Sequence, residues 1–217
     1  MEIAEINRLL ARQYGACPWH QHHDPLSELI AVILSQNTSD VNSGRAFDLL
    51  TSSFGSWEEV AQASAENIEQ AIKPGGLSQI KSTRIKEILQ TILAERGSLD
   101  LSFLDTLPID EAKAWLRKLP GVGPKTVGCV LLFSLGKPVF PVDTHVFRVS
   151  KRLGLIANGI SADRAHEIME AIVLPEDIYQ LHMNMVKHGR RICRSQRPKC
   201  PECILRENCP SGFPGNN

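Results

Sequence analysis

The sequence has little that would mark a disordered, polycationic or membrane-spanning protein. Its 24 basic and 24 acidic side chains leave no net charge, which excludes a histone-like polycation, and 42% hydrophobic residues exclude a disordered tail. No apolar run approaches the roughly 18 residues that a transmembrane helix needs. The first residues lack the basic flank and apolar centre of a signal peptide, so we expect a cytoplasmic protein without a membrane partner.

Strand-like alternation of apolar and polar residues is nearly absent, whereas apolar residues recur at helical spacing along most of the chain. One apolar stripe covers residues 26–34, and a second runs from Ile80 to residue 93. Candidate N-caps precede four of the helical segments: Ser64, Asp110, Asp143 and Ser161. These patterns predict an all-α fold of eight to ten short helices.

Only six cysteines are present, and four of them lie within 17 residues of each other: Cys193, Cys200, Cys203 and Cys209. Disulfides rarely persist in the cytoplasm, and this segment has little hydrophobic sequence to fold around. A metal bound by four thiolates can organise such a segment. The spacing C-x6-C-x2-C-x5-C leaves zinc and a [4Fe-4S] cluster open, because both accept four cysteines.

The neutral total charge conceals a basic segment near the cysteines. From Lys187 to Cys209, seven basic residues stand against two acidic residues, and the segment includes Arg194, Arg197 and Lys199. Any electrostatic partner is therefore expected to bind a local patch rather than respond to the total charge of the chain.

Residues 119–125 read LPGVGPK, between two helical segments. The glycines on either side of Val122 permit a tight turn whose N–H groups point outward, and the next helix adds the positive end of its dipole. Such a turn can bind a nucleic-acid phosphate without reading sequence, so Gly121, Val122 and Gly123 are candidate DNA-binding residues. The alternative is an ordinary glycine-rich turn between helices.

Lys125 follows Pro124 in the predicted first turn of the next helix. The helix dipole disfavours a cation there and favours the neutral amine, which can attack a sugar carbon and form a Schiff base. The alternative is a surface lysine that holds a phosphate as a point charge. Asp143, a candidate N-cap, could also stabilise a cationic sugar and assist deprotonation.

Together these motifs resemble the endonuclease III family of helix-hairpin-helix DNA glycosylases. The resemblance covers about residues 24–209 and includes LPGVGPKT, VDTHVFRV, HGRRIC, the four-cysteine loop, LSQNTSD and GGLSQIKSTRI. It implies a six-helix barrel of residues 24–137 and an iron–sulfur cluster domain of residues 1–23 and 138–217. It also implies that the four cysteines hold a structural [4Fe-4S] cluster and that the loop from Arg194 to Lys199 meets the DNA backbone.

The family resemblance implies base-excision repair of double-stranded DNA that carries a damaged base or an abasic site. Lys125 would displace a flipped-out oxidised pyrimidine at C1′ and cleave the abasic site by β-elimination, and Asp143 would activate the reaction. Asn37 matches the family glutamine that fills the gap left by the base, and Gln36 stands beside it. Leu77 matches a second wedge residue.

Two alternatives remain open from the sequence. A mismatch glycosylase that removes thymine or uracil opposite guanine is built on the same scaffold, and a non-catalytic DNA-binding module could retain the hairpin and the cluster. Pro124 stands where many family members carry a basic residue, which removes one phosphate contact. We expect a monomer that associates with the nucleoid.

Overall fold

The computed structural model describes residues 2–212, and helices and turns account for their regular structure, with no strand in that range. Met1 and residues 213–217, which the predicted iron–sulfur domain includes, lie outside the described residues. The described helices are α1 (Ile3–Tyr14), α2 (Pro25–Ser35), α3 (Asp40–Phe54), α4 (Trp57–Gln62), α5 (Ala65–Ile72), α6 (Ser78–Arg96), α7 (Ile109–Leu116), α8 (Pro124–Leu135), α9 (Thr144–Arg152), α10 (Ala162–Ile172) and α11 (Ile178–Arg191). The all-α prediction is confirmed, although eleven helices exceed the predicted eight to ten.

The sequence signals for helix starts are correct at three of the four positions. Ser64, Asp143 and Ser161 each accept a hydrogen bond from the backbone N–H three residues further along. The prediction for Asp110 is wrong, because α7 begins one residue earlier and Pro108 occupies the capping position. Asp110 instead lies in the first turn, where its charge still favours the positive end of the helix.

One compact unit covers Gln21–Leu135 and contains α2 to α8. Its α2 packs against α3, α6 and α8, and the predicted stripe of residues 26–34 is buried in this core. The second stripe is correct from Ile85 onwards, but Ile80 is 56% exposed. The period of 3.6 continues that stripe backwards to Lys81 and Ser82, which are buried instead.

The other unit combines residues 2–20 with residues 136–212 and contains α1, α9, α10 and α11. Here α11 packs against both α1 and α9. His182 of α11 donates a hydrogen bond from Nδ1 to the carbonyl of Pro141 at 2.9 Å, which fixes the segment that leads to Asp143. No helix in residues 2–212 is both long and apolar enough to cross a bilayer.

Candidate functional site

The glycine-rich segment forms a tight turn between α7 and α8. The Val122 N–H donates to the carbonyl of Leu119 at 3.2 Å, and Gly121 adopts a φ of 70°, which glycine tolerates without strain. The Val122 side chain is buried, and its N–H is already used within the turn. The predicted phosphate contact therefore depends on the amides of Gly121 and Gly123.

Lys125 is the second residue of α8, and it lines an open cavity of about 490 Å³, which we name the Lys125 cavity. This volume falls within the range of roughly 300–1,000 Å³ that is typical of ligand pockets. Phe47 and Phe133 contribute aromatic walls. The titratable groups of the lining are His22, His23, Glu28, Asp40, Asp48, Lys125 and Cys129.

Contacts between histidine and phenylalanine rings hold the walls of the Lys125 cavity together. The His22 ring stacks on Phe133 with centroids 4.7 Å apart and planes 10° from parallel, and the His22 N–H donates to the Phe133 carbonyl at 3.0 Å. His23 lies against Phe47 with ring centroids 5.1 Å apart. The segment before α2 is thereby fixed to both α8 and α3.

Glu28 is a buried acid in the same cavity. It lies in the first turn of α2 and is 6% exposed. Burial raises the pKa of its carboxyl group to about 7, while the charge of Lys125 opposes that rise and the charge of Asp24 adds to it. No group among residues 2–212 donates a hydrogen bond to this carboxyl group. Glu28 is absent from the site predicted from sequence, although an acidic residue within an apolar stripe is a signal that could have revealed it.

Asp143 lies in the unit that contains α9, and it is the N-cap of that helix. Its Oδ1 accepts the N–H of Val146 at 2.7 Å, which leaves the second carboxylate oxygen for other contacts. The side chain is half-buried. The predicted cap is therefore correct, and the catalytic role of Asp143 stays a prediction.

The predicted wedge residues differ in how they are held. Asn37 and Leu77 have left-handed φ values of 54° and 50°, and both are exposed. Leu77 is 50% exposed, which excludes a role as a core leucine. The Gln36 side chain is restrained, because its Oε1 accepts a hydrogen bond from Nη1 of Arg84 at 2.9 Å. Strained backbone at exposed residues is typical of functional sites.

One buried lysine connects the two wedge loops. Lys81 of α6 is 2% exposed, and its Nζ donates to the carbonyls of Leu34 at 2.7 Å and Gly75 at 2.9 Å. Leu34 lies three residues before Asn37, and Gly75 lies two residues before Leu77. Burial lowers the pKa of Lys81. This side chain was not predicted as functional, yet it positions both loops.

The four predicted metal ligands line one cavity of about 40 Å³: Cys193, Cys200, Cys203 and Cys209. Burial raises the pKa of the Cys203 and Cys209 thiols, so a metal must displace their protons to bind. Within the described chain, no three His, Cys, Asp or Glu side chains converge as a single metal ion requires. The thiol donors suit a metal group in their chemistry.

Two arginines of α9 hold the cysteine loop. Arg148 donates from Nε to the carbonyl of Cys193 at 2.9 Å. Arg152 donates from Nη1 to the Cys193 sulfur at 3.3 Å and to the carbonyl of Arg194 at 2.6 Å. Neither arginine is among the predicted site residues, although their i, i+4 spacing places them on one face of the helix.

The basic loop presents its charges unequally. Arg194 and Arg197 are exposed, and Arg197 adopts a left-handed φ of 48°. Lys199 forms an ion pair with Glu202, with Nζ 3.2 Å from Oε2, which offsets its charge. The loop therefore offers two unpaired charges and one partly neutralised charge to a polyanion, as far as ion pairs within residues 2–212 are concerned.

Comparison with known proteins decides the family. The family model for the HhH-GPD superfamily base excision DNA repair protein matches residues 30–175. Endonuclease III of Thermotoga maritima is 36% identical over 208 residues, which cover 95% of this chain and 92% of that protein. The chain belongs to the endonuclease III family.

Solved structures extend this endonuclease III match to the fold. Endonuclease III in a non-covalent complex with DNA matches with a TM-score of 0.83 and 30% identity, over 97% of this chain and 94% of that chain. A trapped covalent endonuclease III–DNA intermediate also gives a TM-score of 0.83 and 30% identity. An Arabidopsis thaliana protein named as a DNA glycosylase is 40% identical over 168 residues, and this chain spans 57% of its length.

Proposed function

We propose that this endonuclease III family member is a base-excision DNA glycosylase that removes oxidised pyrimidines and then cleaves the abasic site. Its partner is double-stranded DNA with a damaged base or an abasic site. The observation that carries the proposal is Lys125, which lies in the first turn of α8 directly after the glycine turn and lines a ligand-sized cavity. A lysine amine in such a place can form a covalent bond with a sugar carbon.

The reaction begins when the damaged nucleotide leaves the base stack, at a cost of a few kcal/mol that is smallest for a weakly paired base. The Nζ atom of Lys125 attacks C1′, the base departs, and a Schiff base forms. β-Elimination then breaks the bond on the 3′ side of the sugar. Asp143, with one carboxylate oxygen outside the helix cap, stabilises the positive charge of the sugar and assists proton removal.

Exposed loops supply the DNA contacts. The amides of Gly121 and Gly123 bind a backbone phosphate, and Arg194 and Arg197, with the weaker contribution of Lys199, bind the backbone elsewhere. Asn37 fills the gap left by the flipped base, since Gln36 is restrained by Arg84, and Leu77 inserts from the opposite side. Val122 stabilises the glycine turn through its buried side chain and its N–H bond to the Leu119 carbonyl.

The four-cysteine loop would hold a [4Fe-4S] cluster through Cys193, Cys200, Cys203 and Cys209. Four thiols that line one cavity support a metal group bound by sulfur, and the similarity to endonuclease III favours a cluster over zinc. When bound, the cluster cross-links the loop that carries Arg194 and Arg197. A purified protein that absorbs near roughly 400 nm and contains about four irons per chain would agree with this assignment, whereas stoichiometric zinc would overturn it.

Borohydride trapping tests the enzymatic proposal. We expect the wild-type chain to form a covalent adduct with abasic duplex DNA, and Lys125→Ala to lose that adduct completely. Lys113→Ala, on the neighbouring α7, is the control that should retain it. An undiminished adduct in Lys125→Ala would place the nucleophile elsewhere, and no adduct in the wild type would favour a non-catalytic DNA-binding module. Incubation with duplexes that carry thymine glycol, T·G or U·G separates the two glycosylase activities. Excision of thymine glycol indicates oxidised-base repair, whereas excision of thymine or uracil opposite guanine indicates mismatch repair.

A further inference from the structure

Glu28 is a buried carboxyl group that the function proposed above does not use. It is 6% exposed, it lines the same cavity as Lys125, and it accepts no hydrogen bond from residues 2–212. Burial of most of a carboxylate within an apolar stripe is costly, so the place of Glu28 beside this cavity requires a reason. We propose that Glu28 contacts the extruded base in the Lys125 cavity and donates the proton that the base takes as it leaves. This inference rests on the proposed glycosylase function.

The chemistry of the cavity identifies the edge of the base that fits. A protonated carboxyl group presents one O–H donor and one acceptor side by side. The ring of thymine, uracil or an oxidised thymine presents a carbonyl next to an N–H, which is the complementary pair. Phe47 and the His22 ring, which stacks on the buried Phe133, supply flat faces against which the flat or puckered ring can pack. The substrate class is therefore a pyrimidine that retains an adjacent carbonyl and N–H.

The surroundings of Glu28 keep both of its protonation states accessible. The charged and titratable groups around it in the cavity or acting on its charge come from four segments: His22 and His23 before α2, Asp24 at the α2 cap, Asp40 and Asp48 on α3, and Lys125 and Cys129 on α8. Burial dominates over the attraction of Lys125 and places the pKa of Glu28 at about 7. A group that titrates near neutral pH can give and regain a proton during turnover.

The step balances in atoms and charge. The lone pair of the neutral Lys125 amine forms the bond to C1′, and the bond between C1′ and the base nitrogen breaks with its electron pair on the base. The Glu28 proton moves to the base, which leaves as a neutral molecule. Lys125 becomes a secondary ammonium and Glu28 becomes a carboxylate. The ammonium then transfers a proton to O4′ as the C1′–O4′ bond breaks, which opens the sugar ring to the protonated Schiff base, and Glu28 regains its proton from water.

Glu28→Gln removes the titrating proton while it keeps the side-chain shape. Under single-turnover conditions with a thymine glycol duplex, we expect excision to slow about 100-fold or more, in line with general-acid catalysis. The wild-type rate should fall about tenfold per pH unit above roughly pH 7, and this alkaline decline should be absent in Glu28→Gln. Glu28→Asp, which retains an acid, should keep the decline. Glu87→Gln, an exposed carboxylate on α6, is the matched control and should behave as wild type.

Borohydride trapping with a preformed abasic site separates this inference from the proposed function. An abasic site has no base to protonate, so Glu28→Gln should form the Lys125 adduct as fast as the wild type does. Circular dichroism must show the same helical content in both proteins. Excision by Glu28→Gln at the wild-type rate and with the wild-type pH profile would overturn the inference. Loss of the adduct in Glu28→Gln would also overturn the inference, because it would show that Glu28 acts on the Lys125 amine rather than on the base. A wild type that forms no adduct would contradict the proposed function itself.

Discussion

Two carboxyl groups near helix N-termini show how the surroundings of one residue type determine its role. Asp143 occupies the cap of α9, where it accepts the Val146 N–H and remains half-buried. Glu28 lies one turn inside α2, whose cap position is taken by Asp24, so the backbone offers Glu28 no donor. The positive end of a helix favours both carboxylates, but burial outweighs that effect for Glu28.

The raised pKa of Glu28 predicts a pH-dependent stability. Because the carboxyl pKa rises from 4.5 to about 7 on folding, its contribution to stability is complete below about pH 4.5 and is lost as the pH rises through about 7. A rise of about 2.5 pH units corresponds to about 3 kcal/mol. Glu28→Gln should therefore gain up to about 3 kcal/mol in unfolding free energy relative to the wild type at pH 8, and less than about 1 kcal/mol at pH 5.

Urea unfolding of both proteins at pH 5 and pH 8 measures this difference. Glu87→Gln, whose side chain is exposed, should show no such dependence on pH. Equal stabilities of wild type and Glu28→Gln at pH 8 would show that the folded protein does not disfavour the carboxylate. The combination of higher stability with slower excision is typical of groups placed for function rather than for folding.

At the scale of helices and loops, the sequence predicts features that depend on neighbouring residues, but it does not predict hydrogen bonds between residues that are distant in the chain. The apolar stripe of α2 and the Asp143 cap depend on neighbouring residues, so the sequence pattern predicts both correctly. Lys81 bonds to a carbonyl 47 residues away, and Arg148 bonds to one 45 residues away. No periodicity encodes such pairs, because they form only when separate helices pack. The same reason explains Ile80, whose apolar side chain fits the pattern but lies in the exposed first turn of α6.

Lys81→Met tests whether one side chain holds both wedge loops. The substitution keeps the bulk but leaves two buried carbonyls without their donor, so we expect a loss of about 2–4 kcal/mol in unfolding free energy. Excision should slow as well, at a temperature where the variant remains folded, because Asn37 and Leu77 lose their common anchor. Lys86→Met, on the same helix with a bond to the Ala63 carbonyl, should affect stability without slowing excision. Equal excision rates in the two variants would contradict the positioning role of Lys81.

Gly121→Ala tests the link between the glycine turn and the Gln36 loop. An added Cβ at Gly121 would overlap the guanidinium of Arg84, which must then move and release Gln36. Gly97→Ala is the matched control, since Gly97 has a similar φ of 73° but no atom within 4 Å of its added Cβ. Both variants should lose about 1 kcal/mol of stability through the left-handed backbone.

Only Gly121→Ala should also weaken binding to abasic duplex DNA, as measured by titration of a fluorescent duplex. Binding that weakens equally in both variants would show that general destabilisation, rather than a local change at the glycine turn and Arg84, is the cause.

At the scale of the whole molecule, the absence of net charge means that DNA affinity must come from a few local groups. The segment from Lys187 to Cys209, which begins in the last turns of α11, carries seven basic residues against two acidic ones, while the rest of the chain compensates for it. In the proposed DNA contact, the exposed Arg194 and Arg197 contribute most, because the ion pair with Glu202 offsets the charge of Lys199. Arg148 and Arg152 are turned inward to hold the loop itself. We therefore expect charge to orient the protein on DNA without favouring indiscriminate binding by its entire surface.

This distribution of charge predicts a moderate salt dependence that two residues largely determine. If the chain neutralises three to five phosphates, the slope of log K against log salt should be about −3 to −4.5. The double variant Arg194→Ala/Arg197→Ala should lower its magnitude by about 1.8, since each phosphate contributes about 0.9. Arg164→Ala is the control, because Arg164 is exposed on α10 and paired with Glu167. Affinity titrations between about 50 and 200 mM salt measure these slopes. A slope that the double variant leaves unchanged would place the phosphate contacts outside the cysteine loop, and the cluster would then stabilise the fold without ordering a DNA-binding surface.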